Sequence, residues 1–367
     1  MLALIALAAT LAVAAARPLQ EQESSAAWAA EFATAGTIFA GSEARFLEAL
    51  GEIAAHNADE TQTWSAGVNK FTAMTKAEFK AFIGRGYSKS GPAMEAARKA
   101  SQEADLSSHV EVAALPASLD WRLKTPSVVT KVKDQGGCGG CWSFSAAETL
   151  ESNVAINTGK LMVFSEQEIL ACTPNPNQCG GTGGCSGATQ ELAFAYIQTA
   201  GITTEAQWPY TMQSGTCDWS GKKPVANITG WAELPVNNYT ALMNAVVSIG
   251  PIAISGAAEP WQSYDKGVFS SPCGADVDHA IVLEGYGTDS KTGLDYYLVR
   301  NSWSAGWGEE GYIRIARYGG TAKGEPCLTD NTPGDGDGCK GGPSKIQVCG
   351  LCGIISDSSY AIGGHLI

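Results

Sequence analysis

Apolar positions recur along this chain with two spacings, and the change from one to the other divides it. Toward the N-terminus the spacing is helical: Trp28, Phe32 and Phe39 share one face, Phe46, Leu50, Ile53 and Asn57 a second, and Phe79, Phe82 and Ile83 a third, shorter one. A Gly-rich turn then ends at Cys141. After it Phe144, Ala147, Leu150 and Val154 recur on one face, and Asn157-Thr158-Gly159 predicts the helix stop. Ser165-Glu166-Gln167-Glu168 has the form of a capped helix start. From Ala226 onward short β-like runs take over, at Ile252–Ile254, Ile281–Leu283, Tyr296–Val299 and Tyr312–Ile315. Helices followed by strands predict an α+β protein, its more helical half ending near Trp208.

Composition refines this division. Met1 to Ala16 is an Ala/Leu-rich apolar stretch that ends in small residues before Arg17-Pro18. It is too short to span a bilayer and reads as a signal peptide, although it lacks a positive n-region. Residues 17–114 contain no cysteine and are rich in Ala and Glu, as a separate helical unit would be. Ser88–Ser108 is polar and reads as an accessible linker. Near the other end, Gly319–Gln347 is rich in Gly, Pro and Asp and bracketed by cysteines, which predicts a stapled surface loop. Eleven cysteines point to an oxidising compartment, and the odd number leaves at least one outside any disulfide. A net charge of −13 argues against a nucleic-acid partner. No later segment has the length and apolarity of a membrane span.

The chemistry gathers around three segments. Cys141 stands at a predicted helix N-terminus, where the helix dipole favours thiolate over thiol. His279 opens an apolar, β-rich run and is nearly the sole imidazole outside the N-terminal unit, the other being His365 near the C-terminus. Asn301 ends a strand-like run and opens Asn301-Ser302-Trp303-Ser304-Ala305-Gly306-Trp307-Gly308. With Gln135-Gly136-Gly137-Cys138-Gly139-Gly140-Cys141-Trp142, these segments resemble the papain-like cysteine proteases, above all their cathepsin L-like members. Phe46, Ile53 and Asn57, then Gly67-Val68-Asn69-Lys70-Phe71, resemble the helical inhibitory prodomain of that group. Ala49, Ser42 and Ala73 replace the usual Asn, Arg and Asp.

The resemblance implies a signal peptide at 1–16, an inhibitory prodomain at 17–114 and a peptidase domain at 115–367. Activation cleavage is expected between Ser108 and Leu115, after a linker that runs through the cleft. The peptidase would have a mainly helical half and a β-barrel half. Cys141 would be the nucleophile, His279 its acid–base partner, Asn301 the orienting group, and Gln135 an oxyanion donor beside the Cys141 N–H. Trp303 would shield the His–Asn contact. Gly139, Gly187 and Ala188 would meet the substrate backbone, and Thr189, Gln190 and Ser255 would line an S2 pocket with Asp357 at its base. Disulfides carried by position are Cys138–Cys185, Cys172–Cys217 and Cys273–Cys352; the pairing of Cys179, Cys327, Cys339 and Cys349 stays open.

Expected partners are protein or peptide substrates, the protein's own prodomain and cystatin-type inhibitors; a monomer, no cofactor and no metal are expected. The compartment would be lysosome, vacuole or the extracellular space. Asn227 and Asn238 head glycosylation sequons. A zinc site would need Cys138, Cys141, Cys349 and Cys352 together. A binding or storage protein on the same scaffold would be expected to lose the thiol, the imidazole or the amide, yet all stand.

Overall fold

The computed structural model describes residues 28, 43–83, 102, 104, 106–107, 109–322, 324–334 and 338–367. The expected signal peptide, Phe32, Phe39 and most of the Ser88–Ser108 linker lie outside them. In the N-terminal unit α1 (Glu43–Ala58) buries Phe46, Ala49 and Ile53, and the Trp28 ring packs 5.4 Å from that of Phe46. Asn57 ends this helix by acting as a piece of backbone. Its amide donates to Ala66 O and its Oδ1 accepts from Ala66 N, both at 2.9 Å, which sets β1 (Trp64–Ala66) beside the helix. A reciprocal capping box between Thr75 and Glu78 then starts α2 (Lys76–Ile83).

The next elements are β2 (Leu119–Asp120), α3 (Cys141–Thr158), α4 (Glu166–Cys172) and α5 (Gln190–Ala200). Ser165 caps α4 by accepting from Glu168 N at 3.0 Å, and Thr189 caps α5. There follow β3 (Ala226–Asn227), β4 (Gly230–Glu233) and α6 (Tyr239–Ser248), the last capped by Asn238. The β-rich half contains β5 (Ile252–Gly256), β6 (Tyr264–Phe269), β7 (His279–Thr288), β8 (Asp295–Arg300) and β9 (Tyr312–Ala316). It closes with β10 (Cys327–Asp330), β11 (Ile346–Cys349), β12 (Ser358–Ile362) and β13 (His365–Leu366).

The main sheet runs β1-β6-β9-β8-β7-β5-β12-β4, with β2 on β7. Only β6 and β9 run parallel. The N-terminal unit therefore adds the edge strand, Trp64 opposite Gly267. One core fills the sheet side, and a second gathers Trp142, Leu150, Phe164 and Phe194 around the helices.

Helix α3 departs from the expected single apolar face: every residue from Cys141 to Ala155 is buried. The helix lies between the sheet, where Ser145 Oγ donates to Ile281 O at 2.8 Å, and the other helices of its half. Gly159, at φ 74°, stops it as predicted. In the insertion, expected as a stapled surface loop, the cysteines are disulfide-bonded and regular structure is added. Its ends form a hairpin, β10 against β11, with Cys327 directly opposite Cys349 and bonded to it. Among the described residues no helix is long and apolar enough to cross a membrane.

Candidate active site

Gly140 is the N-cap of α3, so Cys141 occupies the first helical position and its sulfur sits at the positive end of eighteen aligned peptide units. The other ten cysteines form Cys138–Cys185, Cys172–Cys217, Cys179–Cys339, Cys273–Cys352 and Cys327–Cys349, while Cys141 stays a buried thiol. The thiols that a zinc site would need are thus held in disulfides, apart from Cys141.

His279 begins β7, and Asn301 follows the last residue of β8, so the pairing of two adjacent strands brings them together. His279 Nε2 lies 2.8 Å from Asn301 Oδ1. Ser302 N–H donates to the same Oδ1 at 2.8 Å, which fixes that atom as the oxygen. His279 Nε2 is therefore the protonated nitrogen of the neutral ring. The Trp303 ring stacks on the imidazole at 4.8 Å and 27°, and Trp307 meets Trp303 edge-on. His279, Asn301, Trp303 and Trp307 are fully buried.

Gln135 is anchored from three sides. Its N–H donates to Ser302 O at 2.8 Å, its Oε1 accepts from Ser302 Oγ at 2.7 Å, and its O accepts from Tyr210 OH at 2.7 Å. One amide hydrogen reaches Cys138 O at 3.0 Å. Neither Ser302 nor Tyr210 was singled out in the sequence; the only hint was the place of Ser302 beside Asn301.

On the far wall Gly139 N–H donates to Cys185 O at 3.1 Å, and Gly139 bridges Ser186. Gly187 takes φ 90°, Ala188 is buried and Thr189 caps α5. Asp357, Ser255 and Gln190 come together behind this wall: Asp357 Oδ2 accepts from Ser255 Oγ at 2.5 Å and from Gln190 Nε2 at 2.9 Å. Ser255 stands opposite Ala280 in the β5–β7 pairing, one place from His279.

The N-terminal unit covers the imidazole. Phe71 and Phe79 meet the Trp303 ring edge-on at 5.2 and 5.4 Å, and Phe82 lies at 6.2 Å. Lys70, buried, pairs with Asp134 at 2.7 Å, next to Gln135. Burial lowers the Lys70 pKa, against the pull of Asp134. Burial also holds His279 down to about 4, below its ordinary 6.5, opposed by the Asn301 hydrogen bond and the Ile83 backbone. Under this cover the imidazole is neutral.

A second cluster supports the site from below. Arg300, fully buried beside Asn301, pairs with Glu148 at 3.1 Å and Glu284 at 3.5 Å, and Tyr312 OH donates to Glu284 at 2.9 Å. Lys133 bridges Glu151 and Glu166. Burial raises Glu148 to about 8 against the opposing pull of Arg300. The cluster joins the Cys141 helix to the strands that carry His279 and Asn301. Its sequence signal is three carboxylates set among apolar neighbours: Glu284 interrupts the apolar run of β7, and Glu148 and Glu151 sit in an apolar helix.

With this geometry in hand, residues 115–332 match the sequence profile described as "Papain family cysteine protease". Cysteine protease 1 of Oryza sativa subsp. japonica is 40% identical over 278 residues, 74% of this chain and 54% of that protein. This chain thus matches only about half the length of that relative. Vignain of Vigna mungo is 40% identical over 71% of this chain and 70% of its own. A recombinant stem bromelain precursor superposes with a TM-score of 0.72 at 32% identity, covering 94% of this chain and 99% of its own.

Proposed function

Because this chain belongs to the papain family of cysteine proteases, we propose that it is a cysteine endopeptidase made as a secretory-pathway zymogen. The observation that carries the reading is the buried, disulfide-free Cys141 at a helix start, combined with the His279–Asn301 pair under Trp303. In the uncovered enzyme the Cys141 thiolate attacks the scissile carbonyl carbon. A C–S bond forms, and the oxyanion is held by the Cys141 N–H and the Gln135 amide. His279 Nδ1 gives its proton to the leaving amine as the C–N bond breaks, leaving a thioester. The neutral imidazole next takes a proton from water; the hydroxide oxygen attacks the thioester, releasing the carboxylate product and the thiolate. Asn301 holds the ring so that Nδ1 faces both steps.

The zymogen reading assigns residues 1–16 to a signal peptide, 17–114 to the inhibitory prodomain and 115–367 to the peptidase. Its support is the aromatic seal of Phe71 and Phe79 on Trp303 and the edge strand β1. Removing this cover returns water to His279 and allows the imidazolium that the thiolate needs. Five disulfides support passage through an oxidising compartment, with lysosome, vacuole or extracellular space as destination. Protein or peptide substrates and cystatin-type inhibitors would share the cleft of a monomeric enzyme.

Gly139, Gly187 and Ala188 would carry the substrate backbone, with Thr189, Ser255 and Asp357 around the P2 side chain. The Asp357–Ser255–Gln190 cluster supports acceptance of Arg or Lys at P2 alongside hydrophobic residues. An unchanged Arg/Phe ratio at P2 after Asp357→Ala would refute that preference. The peptidase reading is tested by iodoacetamide on the acid-activated enzyme. Activity is expected to vanish as one label appears on Cys141; full activity with Cys141 labelled would refute it.

A further inference from the structure

The loop between α4 and α5 belongs to the helical half, and the 319–347 insertion to the β half. Cys179 and Cys339 join them across a sequence separation of 160. Both cysteines are buried against Leu192 of α5. Cys138–Cys185 and Cys172–Cys217 stay within the helical half, and Cys273–Cys352 and Cys327–Cys349 within the β half. The family profile stops at residue 332, inside the insertion and short of Cys339.

The backbone around the bridge is fixed on both sides. Asn175 Oδ1 accepts from Cys179 N at 2.8 Å, and its amide donates to Cys179 O at 2.8 Å and Gly181 O at 3.1 Å. Lys340 N–H, from the insertion, donates to Asn177 O at 3.1 Å. The same loop backs the wall of the cleft: Gly183 N–H donates to Gly187 O at 2.7 Å, and Thr182 N–H to Ser186 O at 3.3 Å. Gly181 takes φ 118°, and a Cβ there would collide with Ser186 O, so the two layers touch backbone to backbone. On its other side the wall meets Gly139. Residues 185–188 are therefore clamped between the segment that carries Cys141 and a loop bolted to the opposite half.

We propose that the Cys179–Cys339 bridge is a positioning element for substrate: it fixes the 185–188 wall relative to the β half and so sets selectivity at P2 and P3. This rests on the reading of Gly187 and Ala188 as the strand that holds the P2 backbone. Without the bridge only hydrogen bonds such as Lys340 N–H to Asn177 O and Gln190 to Asp357 tie this region to the β half, and its spacing from the Ser255–Asp357 side is no longer set covalently. The loss falls on binding, because Cys141, His279 and Asn301 are held by other elements.

The test compares activated wild type with a Cys179→Ala/Cys339→Ala variant. A second variant combines Cys179→Ala with a short Gly-Asn turn in place of residues 331–345; its hairpin base remains closed by Cys327–Cys349. Peptides with fixed P1 and varied P2 and P3 give kcat and KM, and iodoacetamide gives the Cys141 alkylation rate. KM is expected to rise about tenfold and the P2–P3 preferences to flatten, while kcat and alkylation change by less than about twofold. A lower Tm with unchanged KM and an unchanged P2–P3 profile in whichever variant folds would overturn the proposal and leave the bridge a staple. Absence of Cys141-dependent hydrolysis in wild type would overturn the peptidase reading as well, so the two failures are distinct.

Discussion

The contact between the two halves and the contact beneath the N-terminal cover both end at the proposed catalytic residues, yet the first centres on a buried charge cluster and the second on aromatic rings beside one Lys70–Asp134 pair. Arg300, Glu148 and Glu284 are completely enclosed and fix one register between the Cys141 helix and the His279 strand. Such a cluster is costly to break, because removing Arg300 strips the buried Glu148 and Glu284 carboxyls of their shared cation. Phe71, Phe79 and Phe82 instead lay apolar surface on Trp303, beside the Lys70–Asp134 pair and the β1 edge pairing that set the register of the cover, and this contact would end if the cover were cut and diffused away. A permanent joint and a removable one thus meet on the same imidazole, and chemistry suits each to its term of service.

The largest expected effect comes from the permanent joint. Arg300→Met should destabilise proenzyme and mature enzyme alike by about 4 kcal/mol, read from urea unfolding midpoints. A loss confined to the proenzyme would contradict the comparison. Phe79→Ala should act the other way, weakening the docked cover by about 3 kcal/mol and leaving the mature enzyme untouched. It is measured as premature activity of the proenzyme at neutral pH, and unchanged latency would count against the aromatic seal.

The third expectation concerns pH. In a Cys141→Ala proenzyme, which has no thiol to exchange a proton with the imidazole, His279 at about 4 under the cover against an ordinary 6.5 makes the covered state bind fewer protons than the open one. The cover should therefore weaken as pH falls from about 6.5 toward about 4 and level off below that. NMR of the His279 imidazole in the Cys141→Ala proenzyme checks the cause directly, since titration near 6.5 would sink it. The smallest effect belongs to Lys80, half exposed, whose 2.6 Å pair with Asp276 ties the cover at its rim. Lys80→Ala should shift proenzyme unfolding by only about 0.5 kcal/mol and lose even that in high salt.

The difference between these joints also explains what the sequence could reveal. Helix periods placed α1, α2 and the Phe144–Val154 face of α3, because these elements bury a stripe that 3.6-residue spacing records. The strands of the β half were legible as apolar runs for the same reason. Burial of the polar side of α3 was not, because Glu148 and Glu151 read as solvated until Arg300 and Lys133 arrive from segments remote in sequence. Cys141, His279, Asn301 and Gln135 were named from motifs; their geometry came from strand pairing and from Ser302, which no local pattern marks. Cys138–Cys185, Cys172–Cys217 and Cys273–Cys352 are the pairs that the resemblance carried and that the structure forms. Cys179–Cys339 and Cys327–Cys349 were undecidable, because spacing alone does not say which loop meets which.

The central claim is that Cys141 is the nucleophile of a latent peptidase, and hydrolysis of one peptide substrate by acid-treated wild-type and Cys141→Ala proenzymes tests it most directly. After confirmed removal of the cover from both, wild type should hydrolyse the peptide and the variant should stay at the uncatalysed background. Equal rates in the two proteins would contradict the account.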